Sequence, residues 1–127
     1  MKLIHYCLIV LVLSGSCKNK TPKVAVVDAC GVEDPVRNLG WLKGRINEAK
    51  ASKTDQFLKA VLVNIDGKQV INCQFEYMAC VGCYAYNCDG SPFDISKLTD
   101  AERTSFYENV WGEKGIRTVL WPQNEKP

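Results

Sequence analysis

FLKAVLVNIDGKQVINCQFEY, residues 57–77, reads as two strands around one turn. Asp66-Gly67 sits between two apolar runs. A two-residue loop of this kind needs positive φ at both positions, which aspartate and glycine tolerate best. Taking that pair as the loop sets a register: Ile65 faces Lys68, Ala60 faces Cys73, and Leu58 faces Phe75. On the second strand Ile71, Cys73, Phe75, Tyr77 and Ala79 then point one way, and Asn72, Gln74 and Glu76 point the other.

The chain continues as YMACVGCYAYNCDG, residues 77–90. Read as a second tight turn, Val81-Gly82 pairs Cys80 with Cys83, Tyr77 with Tyr86, and Phe75 with Cys88. Tyr84, Tyr86 and Cys88 then join Leu58, Ala60, Leu62, Phe75 and Tyr77 on one apolar face. A one-residue slip would invert a strand, so the agreement of two turns is the main structural expectation. Asp89-Gly90 is a further turn signal, read as leading the chain away from the sheet.

Before the strands, DPVRNLGWLKGRINEAKAS (residues 34–52) reads as a helix. Asp34 is the expected N-cap, and Pro35 fits the first helical position. Leu39, Leu42, Ile46 and Ala49 make one apolar stripe, beside which Trp41 sits. Gly40 and Gly44 weaken the interior by about 1 kcal/mol each against alanine, so this helix depends on packing. After the strands, Thr99-Asp100-Ala101-Glu102 is a capping box. It opens a short helix with Phe106, Val110 and Tyr107 inward. IRTVLW, residues 116–121, reads as a closing strand. The expected class is α+β: an N-terminal amphipathic helix packed on a small antiparallel meander sheet, a second short helix and a C-terminal strand.

The first residues, MKLIHYCLIVLVLSGSC, have another character. Lys2 precedes an apolar run from Leu3 to Leu13, about the length of a signal-peptide core and too short for a ~30 Å bilayer. Ser14, Gly15 and Ser16 lead into Cys17, a pattern that resembles a relaxed lipobox ending Ser-Cys. The expected organisation is a lipoprotein signal peptide over residues 1–16, a lipidated Cys17 with a polar tether to residue 29, and one domain over 30–127. The alternative is an ordinary secretory signal cut nearby. Lys18–Lys23 has no acidic residues after the cysteine, which points to the periplasmic face of the outer membrane.

Removing Lys2 with the leader leaves 15 of the 16 basic residues against 14 acidic ones. A net charge near +1, with signs alternating along the chain, is no footprint for nucleic acid. The single histidine, His5, lies in the leader. The rest of the chain thus lacks an imidazole base, a Ser-His or Cys-His pair and a histidine metal ligand. No catalytic residue, metal or cofactor is expected.

Five cysteines follow the leader and Cys17: Cys30, Cys73, Cys80, Cys83 and Cys88. In an oxidising compartment pairing is the default. The expectation is Cys30 linked to Cys80 or Cys83, with Cys73 buried or paired to Cys88. A redox dithiol at Cys80/Cys83 is the alternative. It needs a thiolate stabilised by a helix N-terminus or a cation, and YAYNCDG supplies neither. Zinc held by Cys73, Cys80, Cys83 and Cys88 is a weaker alternative, because one C-x-x-C has no second pair. The expected function is a lipid-anchored, non-catalytic binding or structural module of the cell envelope. Its partners would be the membrane, through the lipid, and an envelope protein or ligand. Trp41, Trp111 and Trp121 are the candidate binding surface.

DPVRNLGWLKGRINEA also resembles the Asn/Asp-Pro-Leu-x-x-Leu-Pro-Trp-Leu-Lys opening of a family of small lipoproteins from the Bacteroidota. In that family a helix precedes a strand pair and a cysteine-bearing segment with an aromatic strand and a Cys-Asp-Gly-like turn. Here that segment is ACVGCYAYNCDGSPF, and TVLW resembles the closing strand. The resemblance runs from Cys30 to Trp121, with Gly40 where the family tends to have proline. It implies location and fold. The family's molecular function is not established, so no activity or site carries over.

Overall fold

The computed structural model describes residues 27–111 and 117–123. Its elements in chain order are α1 (Pro35–Asn38), α2 (Gly40–Ala51), β1 (Leu58–Ile65), β2 (Lys68–Phe75), β3 (Ala85–Asn87), α3 (Asp100–Trp111) and β4 (Thr118–Trp121). Short 3-10 turns at Asp55–Phe57 and Ile95–Lys97 join them. The four strands form one antiparallel sheet in the order β3-β2-β1-β4. This is an α+β fold. The leader, Cys17 and the tether up to residue 26 lie outside the described residues. Val27 packs against the core and Ala29 is buried, so the folded region takes in the end of the segment assigned to the tether.

The β1–β2 hairpin has the expected register. Ile65 pairs with Lys68, Ala60 with Cys73, and Leu58 with Phe75. Asp66 and Gly67 both have positive φ, at 48° and 83°, and Asn64 Oδ1 accepts the Gly67 N–H at 3.0 Å.

The Val81-Gly82 hairpin is not formed. Tyr86 lies opposite Ile71, not Tyr77, and Asn72 lies opposite Ala85. The chain leaves the sheet at Phe75, where the Met78 N–H closes a turn on the Phe75 carbonyl at 2.9 Å. It rejoins at Tyr84, whose carbonyl accepts the Cys73 N–H at 2.9 Å. β1 begins only at Leu58, and the Glu76 N–H meets the Phe57 carbonyl as a last rung, so a β2 prolonged past that point would have no support on its β1 side. The slip is an even number of residues, so Tyr86 still faces the same side as Ile71 and Cys73. Tyr77 is instead 61% exposed, stacked on Phe75.

Asp89-Gly90 does not lead the chain away. It doubles it back along β3, where Pro92 bridges Tyr86. The Asn87 N–H meets the Ser91 carbonyl, and the Phe93 N–H meets the Ala85 carbonyl, both at 2.8 Å. Gly90 has φ 86°, and a Cβ there would lie 2.6 Å from Trp41 Cγ. Gly67 is equally left-handed, but a Cβ there would meet nothing within 4 Å. We expect Gly67→Ala to cost about 1 kcal/mol of unfolding free energy, from backbone strain alone. Gly90→Ala adds overpacking and should cost about 2–4 kcal/mol. Urea titration of the two variants measures the difference. Equal losses would mean that the Trp41 contact is unimportant.

The expected single helix is broken. Asp34 precedes α1 with φ 48° and makes no side-chain cap; its carboxylate pairs with Arg37 at 3.3 Å. Leu39 is extended (φ −88°, ψ 101°), and α2 starts afresh at Gly40. Glycine at that joint is a poor helix continuer. The packing stripe survives the break: Leu42, Ile46 and Ala49 are buried, and Leu39 packs beside them.

Both faces of the sheet are covered. On one, α2 packs over Leu58, Ala60, Ile71, Cys73, Tyr86 and Leu120. On the other, Phe106 and Val110 of α3 pack over Val63, Ile65, Val70 and Ala85. The unbroken apolar run AVLV in β1 is the mark of a strand buried on both sides.

The capping box opens α3 as expected. Glu102 accepts the Thr99 N–H at 2.7 Å, and Thr99 Oγ1 accepts the Glu102 N–H at 3.3 Å. Bonds from the Thr99 backbone N–H, then from its hydroxyl, hold the Glu102 carboxyl below its ordinary range. The Asp89 and Asp94 carboxyls are lowered in the same way by Ser91 and Ser96, hydroxyl first and backbone second. A lowered folded-state pKa stabilises above the unfolded value, and that contribution is lost as pH falls through the folded one. The melting temperature should therefore fall below about pH 4, where free carboxyls protonate. Glu102→Gln keeps an uncharged cap and should flatten that fall. An unchanged acid slope in thermal melts at pH steps would refute it.

Candidate functional site

The described residues contain two disulfides. Cys30 pairs with Cys88 (Cα–Cα 5.4 Å) and Cys80 with Cys83 (5.5 Å), both within the usual span. The expected link from Cys30 to Cys80 or Cys83 is thus corrected, as is the pairing of Cys73 with Cys88. The reason is the slipped register, which carries Cys80 and Cys83 out onto the connecting loop and brings Cys88 to the end of β3. Cys30 reaches it from a small turn in which Ala29 bridges Val32 and Cys30 and Gly31 both have positive φ. The Cys30 N–H is fixed on Gln69 Oε1 at 2.6 Å.

Cys73 is a buried free thiol, as one of the two expected outcomes had it. Burial beneath α2 pushes its pKa up to about 11, against a smaller lowering by Arg45. A thiol so placed is protonated and unreactive at neutral pH. Cys73, Cys80, Cys83 and Cys88 do not converge on a common point, and three of them are in disulfides. Among the described residues no group of three or more His, Cys, Asp or Glu side chains is placed to hold a metal ion.

The three tryptophans do not share a surface. Trp41 is half-buried, with its ring on Tyr86 (5.4 Å between centroids) and its indole N–H on the Cys88 carbonyl at 3.0 Å. Trp121 is also half-buried, beneath the Lys50 ammonium at 4.9 Å. Both pack against the core on the α2 side. Trp111, 57% exposed, ends α3 on the opposite side.

Two hollows stand out. The larger, of about 510 Å³, lies between the β1–β2 turn and the segment 92–98, with Lys68, Asp94 and Glu102 among its lining. Two of its three carboxylates already serve the scaffold: Asp94 accepts the Ser96 N–H and hydroxyl, and Glu102 accepts from Thr99. The smaller, of about 250 Å³, lies at the end of α3, against β1 and β2. Its lining is Lys59, Val61, Asn72, Gln74, Glu76, Met78, Val110, Trp111 and Arg117.

This second pocket is differently equipped. Asn72 is 1% exposed; its Nδ2 donates to Gln74 Oε1 at 3.1 Å, while its Oδ1 is buried with no partner. Arg117 Nε is likewise buried with no partner. Lys59 Nζ pairs with Glu76 Oε1 at 2.6 Å on the rim. An unsatisfied buried polar group costs about 1–3 kcal/mol, and one acceptor and one donor lining the same hollow call for an explanation. The sequence reading placed Asn72 and Gln74 on this face but assigned them no role. The available signal was Asn72 itself, an amide opposite Val61 in the middle of the buried stretch Val70–Cys73.

Comparison of the chain with protein-family models, curated proteins and solved structures returned no match. The lipoprotein resemblance therefore rests on its sequence motifs alone.

Proposed function

We propose that this protein is exported, is held to the cell envelope by lipid on Cys17, and acts there as a non-catalytic binding module. The Cys30–Cys88 bridge carries the reading. It ties the start of the domain to the far end of β3 across 58 residues of sequence, and structural bridges of this kind belong chiefly to oxidising compartments. The lipobox-like SGSC, residues 14–17, and the basic tether after it agree with that compartment.

Thiol–disulfide exchange through Cys80 and Cys83 is the second reading. One observation favours it: the pair is bonded and both residues are exposed. Against it, the pair closes a turn that runs into β3 rather than opening a helix, and its neighbours Ala79, Val81, Gly82 and Tyr84 carry no charge. Thiol trapping in intact cells, read by peptide mass, separates the two. The binding-module reading expects Cys80–Cys83 fully oxidised and resistant to glutathione, with Cys73 unlabelled until the protein is unfolded. A mixed oxidised and reduced population of Cys80 and Cys83 would favour exchange. The same digest shows whether the Cys17 peptide carries acyl chains. An intact leader in the cytosol would sink both readings.

A further inference from the structure

We infer that Asp66 is a site of spontaneous isomerisation to isoaspartate, and that the fold protects the chain's other Asp-Gly pair, Asp89-Gly90, from the same reaction. Aspartate before glycine is prone to this chemistry, because glycine has no β-carbon to shield its amide nitrogen from the neighbouring side chain. The Gly67 nitrogen attacks Asp66 Cγ. A C–N bond forms, the Cγ–OH bond of the acid breaks, and that OH leaves with the amide hydrogen as water. The product is a five-membered succinimide. One water then reopens the ring. Cleavage at the α-carbonyl leaves the main chain running through the side-chain carbonyl, one CH2 longer. The composition is unchanged overall, and water is the sole co-reactant. The longer loop no longer suits the two-residue turn that sets Ile65 against Lys68.

Both glycine nitrogens are hydrogen-bonded in the fold, so each reaction waits on local opening of its turn. The two turns differ in what resists that opening. The Gly67 N–H is held by one exposed side chain, Asn64, whose Oδ1 accepts it at 3.0 Å. Asp66 and Gly67 are both exposed, and a Cβ on Gly67 would meet nothing within 4 Å. The Asp66 carboxylate has no hydrogen bond or ion pair among the described residues. Asp89-Gly90 is pinned from several sides. The Gly90 N–H is bonded to the Asn87 carbonyl at 2.9 Å. Asp89 Oδ1 accepts the Ser91 hydroxyl at 2.6 Å and the Ser91 N–H at 2.9 Å. Those bonds also favour the ionised carboxylate, whereas the acid is the form that sheds water. Trp41 presses on the turn, since a Cβ on Gly90 would lie 2.6 Å from its Cγ. The same indole donates to the Cys88 carbonyl, and Cys88 is bridged to Cys30.

The test is to age the purified, disulfide-bonded protein at about pH 6, where a small fraction of each free carboxyl is protonated, and to map isoaspartate with time. Isoaspartate has the mass of aspartate, so the peptides are separated by chromatography and the linkage is read by electron-transfer fragmentation. In the folded protein isoaspartate should build up at position 66 at least about tenfold faster than at 89, the difference being one of local opening. In protein reduced and unfolded in concentrated urea the two rates should come within about threefold, because the turns that set them apart are gone. Asn64→Ala frees the Gly67 N–H and should speed the folded reaction at 66 by about twofold or more, leaving 89 unchanged. The inference is overturned if 89 isomerises as fast as 66 in the folded protein, or if neither does while both do in urea. It is also overturned if the same large difference persists in urea, which would make it a property of the neighbouring residues and not of the fold, or if Asn64→Ala leaves the rate at 66 unaltered.

Discussion

Replacing Cys30 and Cys88 together by alanine should lower the unfolding free energy by about 4 kcal/mol, the chain-entropy value for a loop of this length. The bridge spans 58 residues of sequence, whereas Cys80–Cys83 spans 3. The same relation gives only about 1.5 kcal/mol for the short ring. The long bridge also holds the first turn of the domain, whose other ties include the Cys30 N–H on Gln69 and the buried Ala29. For a domain under 100 residues each kcal/mol shifts melting by about 4–8 °C, so the double variant should melt about 15–30 °C lower. Thermal melts of the two double-alanine variants beside the parent provide the measurement. Similar losses in both would show that the long bridge does not clamp the fold.

Phe106→Ala should cost about 3–5 kcal/mol, a third or more of the stability of an ordinary domain. Phe106 is 0% exposed and is the largest side chain that α3 buries against the sheet. Val110 is the other buried apolar residue of that helix, and Tyr107 packs only in part. No other element among those described covers Val63, Val70 and Ala85 so fully, so the truncated helix has little else to hold it. Trp111 ends the same helix, and the variant should therefore also blur its indole signal at temperatures where the α2 side remains folded. Urea titration supplies the first quantity and NMR the second. A loss below about 1 kcal/mol would mean that α3 is anchored elsewhere.

Local chemistry made much of this legible in the residues. Asp66-Gly67 set the β1–β2 register because a two-residue loop leaves no freedom in pairing. Thr99 and Glu102 marked the start of α3 because the reciprocal cap needs only local geometry. The failures were non-local. Nothing within YMACVGCYAY says that β1 begins too late to support a longer β2; that is a property of Phe57 and the 3-10 turn before it. The disulfide partners followed from the same slip. The break at Leu39 was foreshadowed by Gly40, but tertiary packing decided that the helix restarts there. The pocket was least legible, since its two orphan atoms come from β2 and from the residue before β4, distant in sequence and brought near by the sheet.

The return of residues 91–93 along β3 has a consequence for self-association. A border strand with free amides invites a neighbour's strand to add on, the first step toward a fibril. Here the position bridging Tyr86 is Pro92, which has no amide hydrogen, and its carbonyl is taken by Asn87 Nδ2 at 3.2 Å. The Phe93 amide is turned inward onto Ala85. On this flank an incoming copy finds no ladder to extend, so the protein should stay unpolymerised through β3 even when concentrated.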